Sequence, residues 1–150
     1  MPRGSQLRGG LSMGKPGVQA RLELSHEYEQ RALEYQANSM ELLRRGELAK
    51  AGEMLWGALV SYLNAIAVLL RGEPLRRHGE VRKLGRQVAI ARGDRELHEY
   101  IITTEAIHAN FYHEFMSKEE FLEYYARALR ALASVRQTFI ELREAVLSQA

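Results

Sequence analysis

Residues 54 to 70 read MLWGALVSYLNAIAVLL, seventeen consecutive positions without a charge. No other feature of the 150-residue chain limits its fold so strongly. Such a run has to leave water, either into a bilayer or into the middle of a protein. A helix needs about 20 apolar residues to span a bilayer, so this run sits at the lower edge. Ser61, Tyr62 and Asn64 lie in the middle of it, and polar side chains at that depth are costly in hydrocarbon. Charged segments surround it on both sides. The run is therefore expected to be a central helix buried on all sides, with no membrane involved. Gly52 and Gly57 would let neighbouring helices approach it closely.

The rest of the chain supplies the covering helices. A first helix is expected over about 18–45, with Leu22, Tyr28, Ala32, Tyr35 and Leu42 on its apolar face and Gly46 at its end. The central helix runs over about 47–70, and Arg71-Gly72-Glu73-Pro74 breaks it. A short helix opens at His78-Gly79-Glu80 and ends near Gly93. Asp94 is placed to cap a fourth helix over about 95–115, whose face reads Leu97, Ile101, Thr104, His108, Phe111 and Phe115. Ser117 and Glu120 have the spacing of a capping box. They start the longest helix, to about 148. There Phe121, Tyr125, Ala128, Leu132, Val135, Phe139, Leu142 and Val146 recur in steps of four and three. No segment alternates in the manner of a strand. The expected fold is all-α: an antiparallel four-helix bundle with an additional short helix. Residues 1–17, with five glycines and two prolines, are expected to form a disordered basic lead-in, and residues 18–150 the bundle domain. The lead-in lacks the apolar core of a signal peptide, and Met13 offers a natural start.

The absence of cysteine excludes disulfides and thiolate metal sites and fits a reducing, cytoplasmic setting. The net charge of +2 is too small to announce nucleic-acid binding. Charge is nevertheless clustered. Arg71, Arg76, Arg77, Arg82, Lys83, Arg86, Arg92 and Arg95 face only Glu73, Glu80 and Asp94 within residues 71–95. Arg82 and Arg86 share a helix face, and His78 falls at a helix N-terminus, where the dipole also favours an anion. Arg71, Arg76, Arg77, His78, Arg82 and Arg86 are therefore the candidate anion- or nucleic-acid-binding set. The plain alternative is a solvated arginine-rich face.

Histidine supplies the other candidates. Glu-x-x-His occurs at Glu23/His26 and Glu105/His108, a spacing that paired bundle metal sites use. Such sites also need a glutamate from each of two other helices. Residues 54–70 and 124–140 contain no acid, so no metal and no cofactor is expected. Arginine precedes histidine at ribonuclease-like spacing at Arg21/His26, Arg71/His78 and Arg92/His98, about as often as 17 arginines produce by chance. The densest stretch is IHANFYHEF, residues 107–115. His108 there is either a catalytic acid or base or a structural imidazole that, like Asn64 and Asn110, needs a hydrogen-bond partner near a buried face.

Several blocks carry a resemblance. Gly46-Glu47-Leu48, Glu53-Met54-Leu55-Trp56-Gly57-Ala58, Arg71-Gly72, His78-Gly79-Glu80 with Leu84, and His108-Ala109-Asn110-Phe111-Tyr112 resemble the archaeal PaREP-type paralogous family, which is similar to HEPN domains. The resemblance covers about residues 20–147. It implies a helical bundle that pairs as a homodimer, and work beside a nucleotidyltransferase partner in toxin–antitoxin or defence systems. Many HEPN proteins are ribonucleases. Their motif, laid on this chain, puts the histidine at His108, the arginine at Thr103, the polar residue at Thr104 and the tyrosine at Asn110. Only the histidine is retained, and threonine cannot offer a permanent cation to phosphate. The expectation is thus a HEPN-like binding or interaction module, associated with nucleotide, RNA or a nucleotidyltransferase. The alternative is a metal-independent ribonuclease with a rearranged site that uses His108.

Overall fold

A computed structural model describes residues 16–113 and 115–149. Residues 1–15, most of the expected lead-in, lie outside the described residues. Five helices follow in order: α1 Val18–Arg44, α2 Leu48–Arg71, α3 His78–Arg92, α4 Arg95–His113 and α5 Lys118–Gln149. No strand occurs among the described residues, and the fold is all-α.

The helix boundaries follow from local chemistry. Gly72 and Gly93 take left-handed backbone angles, φ 86° and 66°, that close α2 and α3 at no side-chain cost. The Asp94 carboxylate accepts from the Leu97 amide at 3.1 Å and starts α4. Ser117 Oγ accepts from the Glu120 amide at 3.1 Å and starts α5. α4 stops at His113, two residues before the expected end. Asn110 Oδ1 accepts the Met116 amide at 2.9 Å and ties down the turn into α5.

α2 is the core. It packs against each of the other four helices. It is long and apolar enough to cross a membrane by length and composition, and 67% of its most apolar window is buried inside the protein. The start of α1 meets the end of α2, where Arg21 donates to the Leu69 carbonyl. The end of α1 meets the start of α2, where Ser39 donates to the Ala51 carbonyl at 2.6 Å. Those two helices therefore run antiparallel. Gly52 lets α4 and α5 close on α2: a Cβ there would lie 2.1 Å from Ile107 Cγ2 and 3.0 Å from Phe121 Cε2.

Two faces differ from the apolar pattern. α1 turns Ser25, Glu29, Ala32 and Ser39 inward, while Tyr35 is 37% exposed. These polar groups have partners. Ser39 Oγ and Tyr125 Oη are 2.7 Å apart, and Glu29 accepts from Arg143 at 2.7 Å. α4 buries Leu97, Ile101, Thr104, Ile107 and Asn110. The inward row therefore passes through Ile107 and Asn110 rather than His108 and Phe111. At about 100° per residue, that one-position offset leaves His108 on the flank of the core instead of inside it. α5 follows its pattern: Phe121 to Phe139 of the stripe are buried, and Leu142 and Val146 pack against the cluster.

Candidate functional site

Four side chains from three helices meet where α2, α3 and α4 come together. On α2, Glu53, Trp56 and Val60 share one face through i, i+3 and i+7 spacing. The Trp56 indole is almost wholly buried, at 6% exposure. Its ring lies 5.3 Å from the His108 ring, with 20° between the planes. The His78 ring lies 6.2 Å from the indole, its plane within 5° of parallel. The two imidazoles are 5.9 Å apart, centre to centre. His78 is exposed and His108 half-buried, so the cluster opens to solvent on the α3 side.

Glu53 orients His108. Its Oε1 lies 2.5 Å from His108 Nδ1, and the two side chains are only 19% and 22% exposed. A carboxylate faces Nδ1 of the ring, and a proton on that nitrogen would donate to it. A carboxylate behind an imidazole is an arrangement that suits both anion binding by a protonated ring and proton transfer. Beside the cluster, Trp56, Val60, Asn64, Leu75, Arg77 and His78 line an open cleft of about 270 Å³ with Arg76 and Val81. Asn64 fixes its wall: its Oδ1 accepts the Leu75 amide at 2.7 Å, and its Nδ2 donates to the Val60 carbonyl.

The structure divides the candidate set from the sequence. His108, His78, Arg76 and Arg77 come together around the cleft and the ring cluster. Arg71 is occupied elsewhere. It donates to the Glu73 and Pro74 carbonyls and pairs with Glu80 at 2.9 Å, holding the α2–α3 turn. That contact, with the Arg76 amide second, holds the Glu80 carboxyl below the usual carboxylate range. Arg82 grips Glu105 through two nitrogens. Arg76 pairs with Glu73 at 3.0 Å across an exposed surface. Arg86 lines a different cleft with Arg95 and His98. Of the six, only His78, Arg77 and Arg86 make no ion pair among the described residues.

The arginine–histidine spacings do not become contacts either. Arg21 donates to the Pro16 and Leu69 carbonyls, and Arg92 reaches Thr138 and Glu141 on α5. The positions the HEPN motif would use are spent on backbone. Thr103 and Thr104 donate to the carbonyls one turn earlier, and Asn110 holds the α4–α5 turn. Among the described residues no group of three or more His, Asp or Glu side chains is placed to hold a metal ion.

Glu53 belongs to the blocks that carry the family resemblance but is not among the candidate site residues read from the sequence. It stands one position before the uncharged run, and its signal was its spacing of three from Trp56.

The model of the archaeal PaREP1/PaREP8 family matches residues 20–132. The chain belongs to this family. The matched span contains Glu53, Trp56, His78 and His108. No curated protein and no solved structure matches the chain.

Proposed function

We propose that this PaREP1/PaREP8 protein is a HEPN-like binding module for a phosphate-bearing ligand, a nucleotide or RNA, and that it works as a cytoplasmic homodimer. In this reading the five helices form an antiparallel four-helix bundle, with α3 as the additional short helix. A nucleotidyltransferase is the protein partner that the HEPN likeness suggests. One observation carries the reading: Arg77 and His78, without ion pairs among the described residues, stand at an open cleft against Trp56 and His108. Phosphate favours such a place because guanidinium and imidazolium donate charge-assisted hydrogen bonds to it.

A second reading is favoured by Glu53. A carboxylate-backed His108 next to a solvent-facing His78 is the minimum equipment for general acid–base cleavage of RNA without a metal. His108 would take or give the proton, and Arg77, beside His78 at the cleft, would supply the cation.

Both readings are tested with a short labelled RNA and a nucleoside monophosphate at low salt, in EDTA. The binding reading expects saturable binding that falls with added salt and weakens at least severalfold in Arg77→Ala and His78→Ala. No binding of either probe, or binding indifferent to both substitutions, ends it. Cleavage by the parent that disappears in His108→Ala moves the assignment to the ribonuclease.

A further inference from the structure

α3 and α4 pack antiparallel. Arg82 bridges to Glu105, Gly85 lies against Ile101, and the chain turns between the helices at Gly93 and Asp94. Near that turn Arg86, Ala89 and Ile90 of α3 face Arg95, His98 and Glu99 of α4 across a cleft of about 400 Å³. Two features set this cleft apart from an ordinary solvated face. The first is apolar surface left in water. Ile90 on its rim is 67% exposed, more than any other large apolar side chain among the described residues, while Ala89 beneath it belongs to the core. The second is unspent charge. Arg86 and Arg95 make no ion pair among the described residues, although Asp94 and Glu99 line the same cleft. Arg71, Arg76, Arg82 and Arg92, from the same segment, each hold a glutamate.

We propose that this cleft docks a short acidic peptide segment of a protein partner, one that places an apolar side chain next to a carboxylate. The proposal goes beyond the phosphate-ligand reading and uses none of the ring-cluster residues. Charge complementarity and shape identify the occupant. Arg86 and Arg95 can each take a carboxylate through paired N–H donors, and an apolar side chain on Ile90 and Ala89 removes that surface from water. Glu99 remains to accept from peptide amides. The α4 N-terminus is not the attraction, because Asp94 already accepts the Leu97 amide there. A phosphodiester chain fits poorly. Asp94 and Glu99 oppose its continuous charge, and no Phe, Tyr or Trp lines the cleft to stack a base. A small molecule fits poorly too, since Arg86, Ile90, Arg95 and Glu99 are exposed walls, whereas small-ligand pockets bury roughly 70–90% of their ligand. From Gly93 back to Arg82 the groove runs roughly 16 Å at about 1.5 Å per helical residue. At about 3.3 Å per extended residue, that holds about five residues of the partner.

An array of acetylated, amidated hexapeptides tests the proposal, with acidic, apolar and Gly/Ser positions permuted and the full chain as the probe in low salt. Peptides that set Asp or Glu beside Leu or Ile are expected to lead. Their Lys-for-Glu and wholly apolar counterparts should fall to the Gly/Ser background. The leading peptide, labelled, is then titrated in solution by fluorescence anisotropy, with circular dichroism to confirm helix content. Arg86→Glu and Arg95→Glu should each weaken it roughly tenfold or more, and Ile90→Ser severalfold. Lys83→Glu makes the same charge change on α3 but in the cleft between α2 and α3, and should leave the affinity as it is. No peptide above background overturns the proposal. So does a loss in Lys83→Glu equal to that in Arg86→Glu, because net charge alone would then explain binding. A labelled oligouridylate that binds more tightly than the peptide, and is lost in Arg86→Glu and Arg95→Glu, overturns it in favour of nucleic acid.

Discussion

Gly52→Ala is expected to destabilise the protein by about 1–2 kcal/mol, although alanine is the better helix former. The new methyl would sit 2.1 Å from Ile107 Cγ2 and 3.0 Å from Phe121 Cε2. Ordinary carbon contacts need roughly 3.5–4.0 Å, so α4 or the Ile107 side chain must move by well over 1 Å. Neither neighbour can escape into solvent, because Ile107 and Phe121 are 0% and 1% exposed. Overpacking a closed core costs about 1–3 kcal/mol, while replacing glycine within a helix returns about 1 kcal/mol. A clash this short belongs at the upper end of the overpacking range, and the net remains unfavourable. Gly57→Ala is the control. Its methyl would meet the Tyr35 ring at 3.0 Å, but that ring is on the surface and can swing away. That substitution should be neutral or stabilising by up to about 1 kcal/mol. Urea unfolding followed by circular dichroism, with slopes checked for equality, reads both. The displacement should also reach the site, since Glu53 and His108 directly follow Gly52 and Ile107 in sequence. Gly52→Ala as stable as the parent, or both variants shifted alike, would refute the argument from closed packing.

Two further outcomes follow from single groups. Tyr62 is fully buried; the Arg136 guanidinium comes near its hydroxyl but outside hydrogen-bond geometry, so the hydroxyl is left without a well-formed hydrogen bond. Tyr62→Phe should therefore leave stability unchanged or raise it by about 1 kcal/mol; a loss of that size in urea unfolding would reveal a partner for the hydroxyl. Glu80 is held below its ordinary 4.5 chiefly by the Arg71 hydrogen bond, then by the Arg76 amide. A depressed carboxyl adds stability above its unfolded value and loses it as pH falls through its folded value. The stability gap between the parent and Glu80→Gln should thus be open at neutral pH and close below pH 4.5; a gap independent of pH in acid-unfolding curves would contradict it.

How far the sequence could be read depended on which force placed each element. The uncharged run and the α5 stripe are set by the hydrophobic effect, which leaves a periodic trace in the chain. Both elements sit where that trace puts them. Caps are local, and Asp94 and Ser117 act as their spacing implies. α1 was harder to read because its interior is polar. Ser25, Glu29 and Ser39 are buried because Arg143, Tyr125 and α2 carbonyls satisfy them, and those partners lie far along the chain. The basic segment misled for the opposite reason. A local count of charges does not say which of them pair, and Glu80 within the segment and Glu105 outside it occupy two of the arginines. The His108 offset is a matter of one residue in nineteen on α4. Periodicity does not resolve that, yet it separates a core imidazole from one at the edge of a cleft.

The ring cluster also limits how its chemistry could work. Trp56 is only 6% exposed and packs against both imidazoles, so a planar ligand has little indole left on which to stack. His78 is the exposed ring of the three. On the proposed function a ligand would meet His78 and Arg77 first, and Trp56 and Glu53 would act from behind by fixing where the imidazoles stand. Such a division separates two kinds of residue by their consequences. Loss of His78 or Arg77 should weaken binding and leave the fold intact, because both side chains are exposed. Loss of Trp56 should damage packing first, because a buried aromatic removed to alanine costs about 3–5 kcal/mol. Comparing the two kinds at equal folded fraction tells whether the cluster is a site or only the corner where three helices meet.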